Sequence, residues 1–132
     1  MKDQMKDKLL KSAEEGCRNS YSPYSGFPVG AAVQADSGKI YSGANVENIS
    51  FGATVCAERV AILKAISEGE KSICAIAIYA PKVPVAYPCG MCLQVISEFA
   101  EGDIPVFLAG NEGVKCLTLS DLLPCPFDKK SF

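Results

Sequence analysis

Hydrophobic residues recur with two periods along this 132-residue chain, and the switches between them lay out its elements. From Lys2 to about Asn19, Met5, Leu9, Ala13 and Cys17 fall every four residues with charges between them. That spacing keeps them on one stripe and predicts an amphipathic helix. "NSYSPYSGF" interrupts the pattern, and "PVGAAVQADSGKIYSGANVEN" reads as two strands joined at "ADSGK", where Gly38 supplies the positive φ of a tight turn. The helical period returns over Cys56 to Gly69, with Val60, Leu63 and Ala65 to Ile66 expected on a wide apolar face and Gly69 as the C-cap.

"SICAIAIYA", Ser72 to Ala80, is apolar almost throughout, as a strand covered on both faces requires, and is expected at the centre of the sheet. A proline-punctuated loop, "PKVPVAYPCG", leads into a third helical pattern carrying Leu93, Ile96 and Phe99 to Ala100, with Gly102 beyond it. "IPVFLAG" and "VKCLTL" flank a turn at "NEG", and "SDLLPCPF" gives a brief helical turn stopped by Pro124. The order α, β, β, α, β, α, β, β, α predicts an α/β fold: a three-layer α/β/α sandwich around a single mixed five-stranded sheet. No repeat or linker divides residues 1–132, a length suited to one domain with one core.

Composition narrows the possible partners. With 48% hydrophobic and 21% charged residues the chain is globular, and some of the apolar excess is expected to cover subunit contacts. No apolar run approaches the roughly 20 residues of a membrane span, and "MKDQMKDKLLKSAEE" lacks a signal peptide's apolar stretch. No membrane association and a cytoplasmic location are therefore expected. A net charge of −2, with basic residues scattered among acidic ones, leaves no stripe for a phosphate backbone, so no nucleic-acid partner is expected. Seven cysteines do not pair evenly, and they read as thiols, some buried and some on a metal. Cys17, on the stripe of the first helix, and Cys74, inside the apolar strand, are expected in the core.

The other thiols fall at chemically informative places. Cys56 opens one predicted helix, and Cys89 and Cys92, in "PCGMC", open another. Unpaired N–H groups and the positive end of the helix dipole favour thiolates there. A Cys-x-x-Cys pair with a third distant cysteine suits zinc and leaves one tetrahedral position open to solvent. Glu58, two residues past Cys56 and about 200° around the helix from it, need not be a ligand and is the candidate general acid and base. The chain has no histidine to take that role. Three alternatives remain on this reading: a structural four-cysteine site recruiting Cys116 or Cys125, a redox pair at Cys89 and Cys92, and a zinc-stabilised interaction module.

"PYSGFPVGAAV", "GANVENISFG", "CAER" and "PCGMC" occur here in the order and at the separations found in the zinc-dependent cytidine deaminase family, which the chain resembles over nearly its whole length. The resemblance implies hydrolytic deamination of cytidine and deoxycytidine to uridine and deoxyuridine with release of ammonia, as in pyrimidine salvage. It implies one Zn2+ per chain on Cys56, Cys89 and Cys92, with Glu58 moving the protons. Phe27 would pack on the pyrimidine, Asn45 and Glu47 would hold the ribose hydroxyls, and the backbone of Ala57 would meet the base. It further implies a homotetramer in which Phe127 reaches a neighbouring subunit's site. Many members have arginine after the last cysteine of this motif, where this chain has Leu93, so Arg59 is expected to supply the positive charge that three thiolates need. Blasticidin-type deaminases share the metal motif, but "FPVGAA" and "NVEN" argue for a plain nucleoside.

Overall fold

The computed structural model describes residues 2–131. Helix α1 spans Lys2–Cys17, and the hairpin follows as β1 (Gly30–Ala35) and β2 (Ile40–Ala44). Helix α2 (Ala57–Ser67) leads to β3 (Ile73–Tyr79), and α3 (Gly90–Phe99) to β4 (Pro105–Gly110), β5 (Gly113–Thr118) and the short α4 (Leu119–Leu122). The strands form one sheet in the order β2-β1-β3-β4-β5, which puts the isoleucine-rich strand at the centre. β3 and β4 are parallel and the other neighbours antiparallel, so the sheet is mixed. The parallel pair is the one joined through a helix, because parallel strands need a long crossover.

Strand alternation sorts side chains into two layers. Ala31, Val33, Ile76, Ile78, Val106 and Leu108 join one cluster with Ala57, Ala61 and Ile62 of α2 and Leu93 and Ile96 of α3. The residues between them, Ala32, Ala75, Ala77 and Phe107, face α1 through Leu9 and Ala13. The expected three-layer sandwich is thus present, with large side chains beneath two helices and mostly alanines beneath one. Small residues let α1 approach closely: a Cβ at Gly30 would lie 2.0 Å from the Ala13 carbonyl oxygen, so glycine is required there.

Two expectations about burial need correction. On α2 the buried face is Ala57, Glu58, Ala61, Ile62 and Ala65, while Leu63 is 48% exposed and Val60 only half-buried. The helix lies so near β2 that a Cβ at Gly43 would be 2.7 Å from the Ala61 nitrogen and 2.8 Å from Val60 Cγ1, so Val60 packs on the bare glycine at the edge of the sheet. Cys74 is half-buried, its Sγ 3.5 Å from the Gln34 carbonyl oxygen beside the irregularity between Gln34 and Ala35, whereas Cys17 is buried as expected. Gly38 and Gly69 have the positive φ expected of them. No helix among the described residues is long and apolar enough to cross a membrane.

Candidate active site

The ladder itself brings the site together. Gly30 at the start of β1 pairs with Tyr79 at the end of β3, so Phe27 and Val29, just before β1, lie over the C-terminal end of the central strand. After β2, a bridge between Val46 and Val55 pinches residues 47–54 into a loop and returns the chain to begin α2 at the same end. The loop after β3 delivers α3 there too. A cleft of about 560 Å3 results, a size suited to a small ligand. Phe27, Asn45, Glu47, Cys56, Ala57, Glu58 and Cys89, all anticipated from sequence, line it.

Cys56 and Cys89 are the N-cap residues of α2 and α3, and Cys92 lies in the first turn of α3. Their three Sγ atoms fall within 4.8 Å of one another, those of Cys89 and Cys92 at 3.4 Å. Sulfurs on a tetrahedral zinc with bonds of ~2.3 Å stand ~3.8 Å apart, so this donor set fits the ion. No fourth Cys, His, Asp or Glu joins the group among the described residues; Cys116 and Cys125 are exposed and lie outside it.

The surroundings favour sulfur anions. The Cys56 thiol is held down at about 5, first by hydrogen bonding with Cys92 and then, against the cost of burial, by Arg59. Cys92, which shares its proton with Cys56, is pushed up. Arg59 Nη2 donates to Cys56 Sγ at 3.6 Å and to the Thr54 carbonyl oxygen at 3.3 Å, which puts its charge beside the sulfurs. Glu58 is only 4% exposed, and burial raises its carboxyl to about 6, with the negative charge of Cys56 adding to the rise. A group with a pKa near neutrality both accepts and releases protons readily.

Asn45 and Glu47 serve the fold as well as the cleft. The Asn45 side chain accepts from the Val29 N–H at 3.0 Å and from Ser20 Oγ at 2.5 Å, and donates to the Phe27 carbonyl oxygen at 2.9 Å. One of its amide hydrogens remains. Glu47 accepts from the N–H groups of Tyr24 at 2.9 Å and Ser25 at 3.1 Å, and from the Ser25 hydroxyl. The Ser25 hydroxyl is the main reason its carboxyl is lowered, and part of its accepting capacity also remains. Asn45 and Glu47 thus line the cleft, each with hydrogen-bonding capacity left over.

Residues 3–108 match the family described as the cytidine and deoxycytidylate deaminase zinc-binding region. The chain belongs to this family. A cytidine deaminase of Sporosarcina psychrophila is 43% identical over 125 residues, 94% of this chain and 92% of that one. The crystal structure of a cytidine deaminase from Burkholderia pseudomallei superposes with a TM-score of 0.87 at 36% identity, covering 92% of this chain and 98% of that one. A blasticidin-S deaminase of Bacillus cereus is 34% identical over 109 residues, covering 76% and 77%. Family membership, together with the Cys56, Cys89 and Cys92 group, makes zinc the cofactor and this chain a deaminase.

The deaminase cleft also contains residues that motif reading left without a role. Ser25 stands inside the quoted "PYSGF" yet its bond to Glu47 spans 22 positions, which no local pattern signals. Tyr87, Val83 and Val85 come from the proline-rich loop, whose irregular sequence carries no period. Phe127 lies apart from this cleft and is 62% exposed; its carbonyl oxygen accepts from Gln94 Nε2 at 2.6 Å, which ties the C-terminal segment to α3.

Proposed function

We propose that the chain is a cytidine deaminase, converting cytidine and deoxycytidine to the corresponding uridines and ammonia, with residues 1–132 acting as one catalytic domain. The observation that carries this reading is the convergence of three thiols and one buried non-ligand carboxyl at the floor of a nucleoside-sized cleft. Cys56, Cys89 and Cys92 hold zinc, which when bound supplies Lewis acidity and makes water a nucleophile near neutral pH. Glu58 takes a proton from the attacking water and passes it to ring nitrogen 3. Glu58 then takes up the remaining water proton and gives it to the leaving amine, so water and cytidine yield uridine and ammonia. Phe27 lies against the pyrimidine, the Ala57 backbone meets its edge, and Asn45 and Glu47 hold the ribose diol. Arg59 offsets the charge of the sulfurs.

The exposed Phe127 ring, on a segment anchored to α3, fits a role at a neighbouring subunit's site in a homotetramer. Some of the apolar surface left open, including Ile49 and Phe51, then becomes subunit contact. Such an enzyme works in pyrimidine salvage in the cytoplasm.

Glu47 and Glu58 are the charged side chains among the described residues lining the cleft; no lysine or arginine lines it. A 5′-phosphate placed along this lining would find no basic side chain to pair with and the Glu47 carboxylate nearby, and uncompensated like charge costs several kcal/mol. Cytidine turnover, followed by the fall in ultraviolet absorbance as the amine is lost, is therefore expected to exceed that of cytidine 5′-monophosphate by at least about 100-fold in kcat/KM. Equal turnover of the nucleotide, or turnover of blasticidin S without turnover of cytidine, would overturn the assignment.

A further inference from the structure

We propose that Lys82, outside the lining of the cleft, is a positioning residue for the reaction: it clasps together two loops that both line the cleft. This rests on the deaminase reading of the cleft. One is the segment 20–28, which carries Ser25 and Phe27; the other is the segment 81–88, which carries Val83, Val85 and Tyr87. Lys82 Nζ donates across the gap to the Gly26 carbonyl oxygen at 2.5 Å.

The two loops differ in how they are held. The lysine's own loop is fixed to the turn between β4 and β5. The Asn111 N–H donates to the Val83 carbonyl oxygen at 2.8 Å, Asn111 Nδ2 to that of Pro81 at 3.1 Å, and the Glu112 N–H to that of Pro84 at 3.3 Å. Gly110 lies so close beneath that a Cβ there would stand 2.2 Å from the Val83 carbonyl oxygen. Lys82 therefore extends from a rigid base.

The facing loop is held by a local turn, in which the Gly26 N–H donates to the Ser22 carbonyl oxygen at 2.9 Å, and otherwise by bonds that involve the ligand machinery. The Tyr24 and Ser25 N–H groups donate to Glu47, the Phe27 N–H donates to Ser25 Oγ at 3.0 Å, and Gly26 turns the chain with φ of +64°. Gly26 is the link between Ser25, which orients Glu47, and Phe27, which flanks the base. Fixing its carbonyl sets both. Without the clasp, the Gly26 carbonyl loses its tie to the other loop and the 24–27 segment is held only by bonds on its own side of the cleft, so substrate binding suffers before chemistry does. The reacting end, built on the N-termini of α2 and α3, does not depend on Gly26.

Lys82→Met keeps the aliphatic stem and removes the donor; Lys82→Arg restores one. For Lys82→Met the expected result is a roughly 3- to 10-fold rise in KM for cytidine, the scale of a charge-assisted bond weakened by solvent, with kcat nearly unchanged. Lys82→Arg returns KM toward the original value. Hydrogen exchange measured without substrate is expected to quicken at the amides of Tyr24, Ser25, Gly26 and Phe27 in Lys82→Met. An unchanged KM, unchanged exchange, or a kcat that falls as far as KM rises would overturn the proposal. A parent chain that does not turn over cytidine would overturn the deaminase reading instead, and exchange alone would then decide whether the clasp exists.

Discussion

Glu58→Gln is expected to lower kcat for cytidine by on the order of 10⁴-fold while leaving zinc content and folding intact. The size of the effect follows from one carboxyl serving both proton transfers, so its loss removes the base from the first and the acid from the second. The amide has nearly the same shape, and it fits a position only 4% exposed at the start of α2. It also carries no charge to desolvate, so thermal stability should hold or rise. Metal analysis beside the rate separates the roles: a ligand's loss would take zinc with it, and a non-ligand's would not. A variant that retains more than about a tenth of the parent's rate would mean that another group moves the protons.

The second large effect is expected at the metal. Cys92→Ser replaces a fully buried sulfur, 3.4 Å from Cys89 Sγ, with a hydroxyl that does not ionise near neutral pH. Zinc should fall from one per chain to near none after dialysis, with turnover lost in step. Cys17→Ser, buried at the C-terminal end of α1 against Gly30, provides the control: it should cost some stability and no zinc. Loss of zinc from the control, or its retention by Cys92→Ser, would place the ion elsewhere.

Much of this was legible in sequence because the determinants are local. The nearly unbroken apolar run of "SICAIAIYA" located the central strand, and glycine positions located the hairpin turn and the end of α2. The ligands were legible because Cys56, Cys89 and Cys92 stand at helix starts that periodicity identifies on its own. The error on α2 has a physical source. Ranking by hydrophobicity selects Leu63, but the helix turns Ala57, Ala61, Ile62 and Ala65 to the sheet, with Gly43 letting the backbones approach, and Leu63 is left outside. Cys74 was misjudged for a similar reason: an apolar run does not reveal the ladder irregularity near its end.

The loops were least legible. The contacts from Ser25 to Glu47, Ser20 to Asn45 and Lys82 to Gly26 join positions 22, 25 and 56 apart through single side chains. Nothing periodic marks such pairs. The first two depend on β1 pairing with β2 at Gly30 and Ala44, the third on β1 pairing with β3 at Gly30 and Tyr79, and so they belong to tertiary structure.

The account stands most directly on one measurement: zinc per chain and cytidine turnover on the same sample, before and after chelation and after zinc is restored. The expected result is one zinc per chain, turnover abolished when it is stripped and recovered when it returns. Turnover that survives complete removal of the metal, or a chain that holds its zinc and never acts on cytidine, would contradict it.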